Sequence, residues 1–410
     1  MNIFDTLKER GFIKQCTDES GLQKALQGGS LTFYCGFDPT ADSLHVGSLV
    51  PIMTMAHLQK AGHKPIAIVG AGTAMIGDPS GRTSMRRIMD NVEITASGKK
   101  ILKQIKRYLD LSKNKGVALD NSKWLSKINY IEFLRDIGKY FKVNEMIKAE
   151  AYKQRLEREE GLSFLEFNYQ LLQAYDFLVL YRKYDCVLQF GGDDQWGNII
   201  AGVNLVHRVT GKEVYGLTFP LVTTANGAKM GKTEAGAVWL DEKKTSPYEF
   251  YQYWVNTDDR DVERFLMLFT FLPAQEIKAL CAQTGEKINE AKRVLAYEAT
   301  KLTHGEASAK KAQTASQSAF QKGGDDLSAI PTTTISRSRL ESGISLIDLF
   351  VETGLVSSKG EARRLIEQGG ASVNDKKISS PDERITLNSL RDNTILLRVG
   401  KKKYHRVLVN

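Results

Sequence analysis

The chain has 410 residues, a formal net charge of +9 and four cysteines. That length admits a catalytic domain and one or two smaller ones. With no run of about 18 apolar residues, no membrane-spanning helix is expected. The charged start MNIFDTLKERGF does not read as a signal peptide. Cys16, Cys35, Cys186 and Cys281 form no CxxC pair, so neither a zinc site nor a disulfide framework is expected, and a cytoplasmic setting fits. The positive balance permits a polyanionic partner without requiring one.

In chain order, residues 1–220 alternate strand-like and helix-like stretches. LTFYCGFD, HKPIAIVGAG and CVLQFGGDDQ read as buried strands. SLVPIMTMAHLQKAG reads as a helix, with Pro51 tolerable because it falls near the first turn. This is the α/β pattern of a Rossmann-like parallel-sheet catalytic domain, with the binding crevice at the strand ends. A helical insertion at about 120–165 interrupts it, and its apolar residues suggest a partner surface. Residues 221–320 hold a lysine-bearing loop and a helical domain. Residues 321–343 (QKGGDDLSAIPTTTISRSRLESG) are small, polar and non-periodic and read as a linker. Residues 344–410 form a small α+β unit of two helices followed by strands.

Two glycine-rich stretches fail as nucleotide fingerprints. GAGTAM has Gly70 and Gly72, but Met75 stands where the dinucleotide pattern wants its third glycine. GAKMGKT is one residue short of a P-loop, and EAGAVW after it does not read as a helix. His45, after the turn DPTADS and before a helix, reads alone as a structural capping residue. A histidine donor at a helix start, next to Gly47, could also meet an anion. Lys229 and Lys232 flank Gly231 in a loop far along the chain, alone an ordinary solvated pair.

Together, HVGSL after the first strand and KMGKT after the last resemble the HIGH and KMSKS motifs of class I aminoacyl-tRNA synthetases. YCGFDPTADSLHVG, GDPSG, FNYQLLQAYD, GGDDQWGN and GKTEAGAVWLDEKKTSPYEFYQYW are similar to the bacterial tyrosyl-tRNA synthetases, and the likeness runs over essentially the whole chain. It implies activation of L-tyrosine with ATP and transfer of the tyrosyl group to tRNA(Tyr). ATP is then a substrate accompanied by Mg2+, with no tightly bound protein metal, and the chain is a homodimer through the 120–165 insertion. The tyrosine carboxylate is already an ionised nucleophile, so lysines, a histidine and glycines suffice without a catalytic triad.

Site residues follow from the resemblance. Thr40, His45, Lys229, Lys232, Thr233, Arg82 and Arg86 would act on the ATP phosphates. Tyr34 and Asp176 would meet the phenol, supported by Gln189. Asp78, Tyr169 and Gln173 would meet the ammonium, and Asp38 and Gln195 complete the amino-acid side. Tyr169, Gln173 and Asp176 fall at i, i+4 and i+7, one helix face, and their polarity favours a site over a packing face. Cys35, Gly36, Gly47, Gly192 and Asp194 would line the nucleotide side, with adenine near Leu221 and Val222. The chain departs from the family at Ser48, Gly231 and Asp193, the last placing a second carboxylate beside Asp194. The tail resembles the RNA-binding fold first named from ribosomal protein S-four, with Lys359, Arg363, Arg364, Lys376 and Lys377 as its basic cluster. Two alternatives remain at this stage: a tryptophanyl-type ligase, and a catalytically inactive RNA-binding homologue.

Overall fold

The structure is a computed structural model that describes residues 2–81, 87, 89–157, 161–233, 236–282, 285–320, 330–400 and 403–410. The chain folds into two units. One holds the chain up to Lys232 with Ala237–Asp241 and Asp258–Ala291; the other holds Thr233–Gly236, Glu242–Thr257 and the chain from Lys292 on.

The first unit is built on six strands: β1 (Gln15–Cys16), β2 (Thr32–Phe37), β3 (Lys64–Val69), β4 (Val117–Asp120), β5 (Cys186–Gly192) and β6 (Tyr215–Phe219). They lie in the order β1-β6-β5-β2-β3-β4. All neighbours run parallel except β1, which pairs antiparallel with β6. The three strands expected from apolar runs are β2, β3 and β5. The other three are short or half polar, and carry too weak a pattern to stand out. From β2 the chain winds outward to β3 and β4, and from β5 to β6, so the winding reverses between β2 and β5. Open α/β sheets bind ligands at such a switch point.

The helix Leu49–Lys60 carries Pro51 in its first turn, where no intrahelical N–H is required. Its near-continuous apolar surface is buried, as expected of a helix packed on several sides. The helix Tyr169–Tyr184 ends at Asp185 with φ 49°, a left-handed C-terminal turn. Its N-terminus is fixed from the insertion. The buried Arg155–Glu166 ion pair closes at 3.0 Å. Tyr152 donates its hydroxyl to Phe167 O at 2.9 Å and accepts from Gln170 N at 3.2 Å. The insertion comprises short helices, Ser122–Leu125, Tyr130–Asp136, Val143–Met146 and Glu150–Leu156. Phe133, Ile137, Met146 and Tyr152 face the core, while Ile131, Val143 and Phe164 are 70%, 62% and 68% exposed.

Composition placed 221–320 in one helical domain, but the helices Val262–Phe269 and Ala274–Cys281 belong to the catalytic unit. The buried Arg10 guanidinium explains why: it donates to Met267 O at 2.7 Å and Thr270 O at 2.9 Å, capping the end of Val262–Phe269.

The second unit contains the helices Pro247–Val255 and Glu306–Phe320 and a five-stranded sheet. β7 (Lys232–Thr233) and β8 (Gly236–Ala237) are two-residue strands, and among the described residues KMGKT runs into these strands and not into a helix. In chain order the tail's strands are β9 (Thr332–Ile335), β10 (Ile344–Ser345), β11 (Ala371–Val373), β12 (Lys376–Ile378), β13 (Arg384–Ile385), β14 (Thr394–Val399) and β15 (Lys403–Val409). The sheet order is β12-β11-β14-β15-β9, with β10 and β13 a separate pair. The helices Leu346–Glu352 and Lys359–Glu367 bury Leu346, Leu349, Phe350 and Ile366 in its core. Part of the stretch read as linker is therefore ordered: Thr332–Ile335 pairs parallel with β15 and Arg337–Glu341 is helical. Its threonines read as polar linker, yet they are β-branched and suit an exposed edge strand. Residues 321–329 lie outside the described residues.

His57 is buried in the catalytic unit between the rings of Phe12 and Phe271, at 5.5 and 4.9 Å. Burial, then the charges of Arg10 and Lys60, push its imidazole down to about 3 from the usual 6.5. Between these values the unfolded chain binds a proton that the folded chain refuses, so stability is complete above 6.5 and falls as pH drops toward 3. At pH 5 His57 should cost about 2 kcal/mol relative to pH 7.5. Urea denaturation at both pH values should show His57→Gln with a pH dependence smaller by about that amount.

Candidate active site

At the switch point, the carboxyl ends of β2 and β5, the helix Tyr169–Tyr184 and the loop after β3 enclose an open cavity of about 580 Å3. Of the amino-acid-side residues expected from sequence, Tyr34, Asp38, Asp78, Tyr169, Gln173, Asp176, Gln189 and Gln195 all line it. So do Cys35, Gly36, Gly192 and Asp194 from the nucleotide side, and Thr40 and His45. Residues up to 161 positions apart, Tyr34 and Gln195, are thus gathered by strand ends and one helix face.

A continuous hydrogen-bonded chain runs through the wall. Asp38 Oδ2 accepts from the Tyr169 hydroxyl at 2.8 Å and its Oδ1 accepts from Thr73 Oγ1 at 2.7 Å. Asn121 donates to Thr73 Oγ1 at 3.0 Å and to Asp176 Oδ2 at 2.9 Å. Trp124 Nε1 donates to Asp176 Oδ1 at 2.7 Å. Gly70 is required here, because a Cβ on it would lie 1.9 Å from Asp38 Oδ1. On the other side of the cavity Gln195 donates to Asp78 Oδ2 at 2.6 Å, and Asn198 donates to both Gln173 Oε1 and Gln195 Oε1, at 3.1 and 3.2 Å.

Sequence reasoning missed Thr73, Asn121, Trp124 and Asn198. Thr73 sits in GAGTAM, set aside because it failed as a dinucleotide motif. Asn121 and Trp124 sit at the start of the insertion, read only for its apolar residues. A polar side chain directly after a strand end was the available signal.

Burial pushes the Asp176 carboxyl up to about 7, against the opposing pull of the Asn121 and Trp124 donors. Tyr34 and Gln189 are register partners on β2 and β5. Both are almost fully buried, and Tyr34 Oη and Gln189 Oε1 have no hydrogen-bond partner among the described residues. Such orphaned atoms are costly unless a ligand completes them. Asp194 stands at the cavity mouth, where desolvation and then Asp78 raise its carboxyl to about 6, while Lys229 draws it down.

His45 caps the turn Val46–Ser48, its Nδ1 accepting from Gly47 N at 3.0 Å. The proton of the neutral ring is therefore on Nε2. Gly47 does not line the cavity; a Cβ there would meet the His45 ring at 2.7 Å and Met230 O at 3.3 Å. Its smallness serves chain packing and not ligand approach. Gly231, with φ +79°, lies against Val46, where a Cβ would fall 2.7 Å from Val46 Cγ2. Val46 N donates to Val238 O at 3.0 Å and Leu240 N to Leu44 O at 2.8 Å, so the segment after the lysines is bound to the HVG turn. Lys229 is exposed and pairs as an isolated bridge with Thr223. Leu221 and Val222 lie outside the cavity wall, though Leu221 Cδ2 is 3.2 Å from where a Gly192 Cβ would be. Lys232 and Thr233 are described through their backbone alone, and Arg82 and Arg86 lie outside the described residues. The departure Asp193 turns away from the cavity; its Oδ1 accepts from Gln15 Nε2 and Thr218 Oγ1. In the tail, Arg363, Arg364, Lys376 and Lys377 are exposed, and Lys359 is exposed while pairing with Asp348 at 2.8 Å.

A family model of class I tRNA synthetases (W and Y) matches residues 26–321, and a second, the Tyrosine--tRNA ligase SYY-like C-terminal domain, matches 325–407. The chain belongs to the class I tRNA synthetases. The tyrosine--tRNA ligases of Caldanaerobacter subterraneus subsp. tengcongensis and Clostridium tetani are each 54% identical to it, over 100% of this chain and 100% and 99% of theirs. The crystal structure of a C-terminally truncated mitochondrial tyrosyl-tRNA synthetase from Aspergillus nidulans has 32% identity and a TM-score of 0.70, covering 78% of this chain and 94% of that one. Within the class, its family is that of the tyrosine--tRNA ligases.

The Asp176 carboxyl and the Trp124 indole share one hydrogen bond, so the ionisation of one is readable in the other. Intrinsic tryptophan fluorescence of the unliganded protein should change with a midpoint near pH 7, the value to which Asp176 is pushed. Trp124→Phe and Asp176→Asn should each remove that transition.

Proposed function

We propose that this chain joins L-tyrosine to tRNA(Tyr) with the residue roles that follow. One observation carries the assignment of the amino acid. Tyr34 Oη and Gln189 Oε1 are buried, without partners among the described residues, and adjacent across β2 and β5, next to a carboxylate already held by two donors. A phenol hydroxyl suits that corner: it donates to Asp176 and accepts from Tyr34. An indole offers a donor and no acceptor, so Tyr34 would stay unpaired, which disfavours tryptophan. At the other end the substrate ammonium meets Asp78, Tyr169 and Gln173, with Asp38 behind Tyr169. Gln195 faces the carboxylate.

In the first step a carboxylate oxygen of tyrosine attacks the α-phosphorus of ATP. The bond to the bridging oxygen breaks and pyrophosphate leaves with the electron pair. The barrier is lowered by holding the two reactants in line and by meeting charge as it grows on the leaving phosphates. His45 offers its Nε2–H from a ring whose tautomer Gly47 N–H fixes. Thr40 stands on the same side. Lys229, Lys232 and Thr233 meet the phosphates from the loop bound to the HVG turn, and Arg82 and Arg86 from the segment after Gly81. A magnesium ion accompanying ATP would share the charge of the phosphates. Cys35, Gly36, Gly192 and Asp194 face the ribose, with Leu221 and Val222 beside adenine. In the second step a ribose hydroxyl of the tRNA's terminal adenosine attacks the carbonyl carbon and AMP leaves. The exposed cations Lys359, Arg363, Arg364, Lys376 and Lys377 hold RNA phosphates. This chemistry belongs in the cytoplasm with protein synthesis.

The test is amino-acid-dependent ATP–pyrophosphate exchange with tyrosine, phenylalanine and tryptophan. Tyrosine alone should support fast exchange; equal rates with tryptophan would overturn the assignment. Tyr34→Phe should narrow the tyrosine-to-phenylalanine ratio of kcat/KM about tenfold, and Asp176→Asn by about a hundredfold, because a charged acceptor is worth more than a neutral donor.

The chain works as a homodimer through the insertion. Ile131, Val143 and Phe164 present their side chains to solvent, although apolar residues on short helices ordinarily face a core. Sedimentation equilibrium should return twice the chain mass of 45.8 kDa, and Ile131→Asp should move the distribution toward the single chain. A monomer at micromolar concentration that still charges tRNA would remove this part of the proposal.

A further inference from the structure

Asp193 was the departure without a role. Its partners Gln15 and Thr218 are direct register neighbours across β1 and β6. Gln15 Nε2 at 2.7 Å and Thr218 Oγ1 at 2.9 Å both donate to one oxygen of Asp193. Thr218 is fully buried. The two strands thus offer a two-donor clamp, and Asp193 is the residue that enters it.

Asp193 opens the single turn Asp193–Gln195, which runs directly into the helix Trp196–Thr210. A carboxylate suits that N-terminal position. The next two residues of the turn face the cavity. Gln195 is secured by its own side-chain bonds to Asp78 and Asn198, at 2.6 and 3.2 Å. Asp194 sits in a space left by two glycines, since a Cβ on Gly192 or Gly81 would come within 2.5 or 3.0 Å of its carboxylate. Its placement therefore depends on where the turn's backbone is held.

We propose that Asp193 is a positioning residue for the nucleotide side of the site: clamped by Gln15 and Thr218, it sets the backbone from which Asp194 reaches the ribose of ATP. This rests on the reading of Asp194 given above. A shorter side chain such as serine would end a bond length short of these two donors.

The experiment is pyrophosphate exchange with the full chain, measuring KM for ATP and for tyrosine separately. Asp193→Ala should raise KM for ATP about tenfold and leave KM for tyrosine within about twofold, because Gln195 keeps its own partners. Asp193→Asn retains the accepting oxygen and should restore KM for ATP nearly to the parent value. Thr218→Val, which keeps shape and removes one donor, should shift KM for ATP in the same direction as Asp193→Ala and carries the test if that variant does not fold. Asp194→Ala is measured alongside. If it raises KM for ATP while Asp193→Ala and Thr218→Val do not, the positioning role is overturned and the ribose reading stands. If Asp194→Ala leaves KM for ATP unchanged, the ribose reading falls and this inference with it. An equal rise of both KM values in Asp193→Ala would show a general loss of structure and also overturn it.

Discussion

The amino-acid end of the site depends on one hydrogen-bonded chain: Tyr169 to Asp38, Thr73 to Asp38, Asn121 to Thr73 and Asp176, Trp124 to Asp176. Its members come from the end of β2, the loop after β3, the start of the insertion and two turns of one face of the helix Tyr169–Tyr184, so the chain is what makes a strand end, a loop and a helix into one wall. Its two carboxylates are separated by two neutral groups, a hydroxyl and an amide, that orient both. Neither Asp38 nor Asp176 can turn toward a substrate without breaking a bond to a partner that is itself committed. The wall is in this sense already built, so that a ligand bound against it would spend little binding energy on arranging it.

The cost of that arrangement is visible at Asp176. Burial alone would neutralise the carboxyl, and two donors bring it back only to about 7. In the proposed complex a hydroxyl ligand would add a third donor and tip the balance to the anion. Under the function proposed above, recognition and ionisation are linked: a phenol bound beside Asp176 would complete as an acceptor the carboxylate that reads it. Tyr34 Oη, without a partner among the described residues, follows the same logic: under the proposed function its partner would be supplied by the ligand.

The sequence made the parallel sheet and the helix face Tyr169, Gln173 and Asp176 legible because both rest on periodicity, which is local. The strands β1, β4 and β6 were not legible, since two to five residues of mixed polarity become strands only against a neighbour. Thr332–Ile335 was misread for a related reason: an edge strand may be polar, and three threonines look like linker until β15 is beside them. The paired motifs around His45 and Lys229 were found because resemblance joins distant segments. Thr73, Asn121 and Trp124 were not found, because their role exists only once Asp38 and Asp176 face each other. Asp193 was noticed as a departure, but its partner Gln15 lies 178 residues away, beyond anything spacing can suggest.

The packing of Gly231 against Val46 has a further consequence. The HVG turn and the lysine segment are joined by backbone hydrogen bonds at Val46, Val238 and Leu240, and by contacts that admit no side chain at 47 or 231. The segment after Lys229 is anchored, in this chain, on the same few atoms that hold His45. Any displacement large enough to withdraw the lysines loads the histidine's cap as well. The two segments then move as a single mechanical part, and a side chain introduced at 47 or 231 would press on the His45 ring or on Val46.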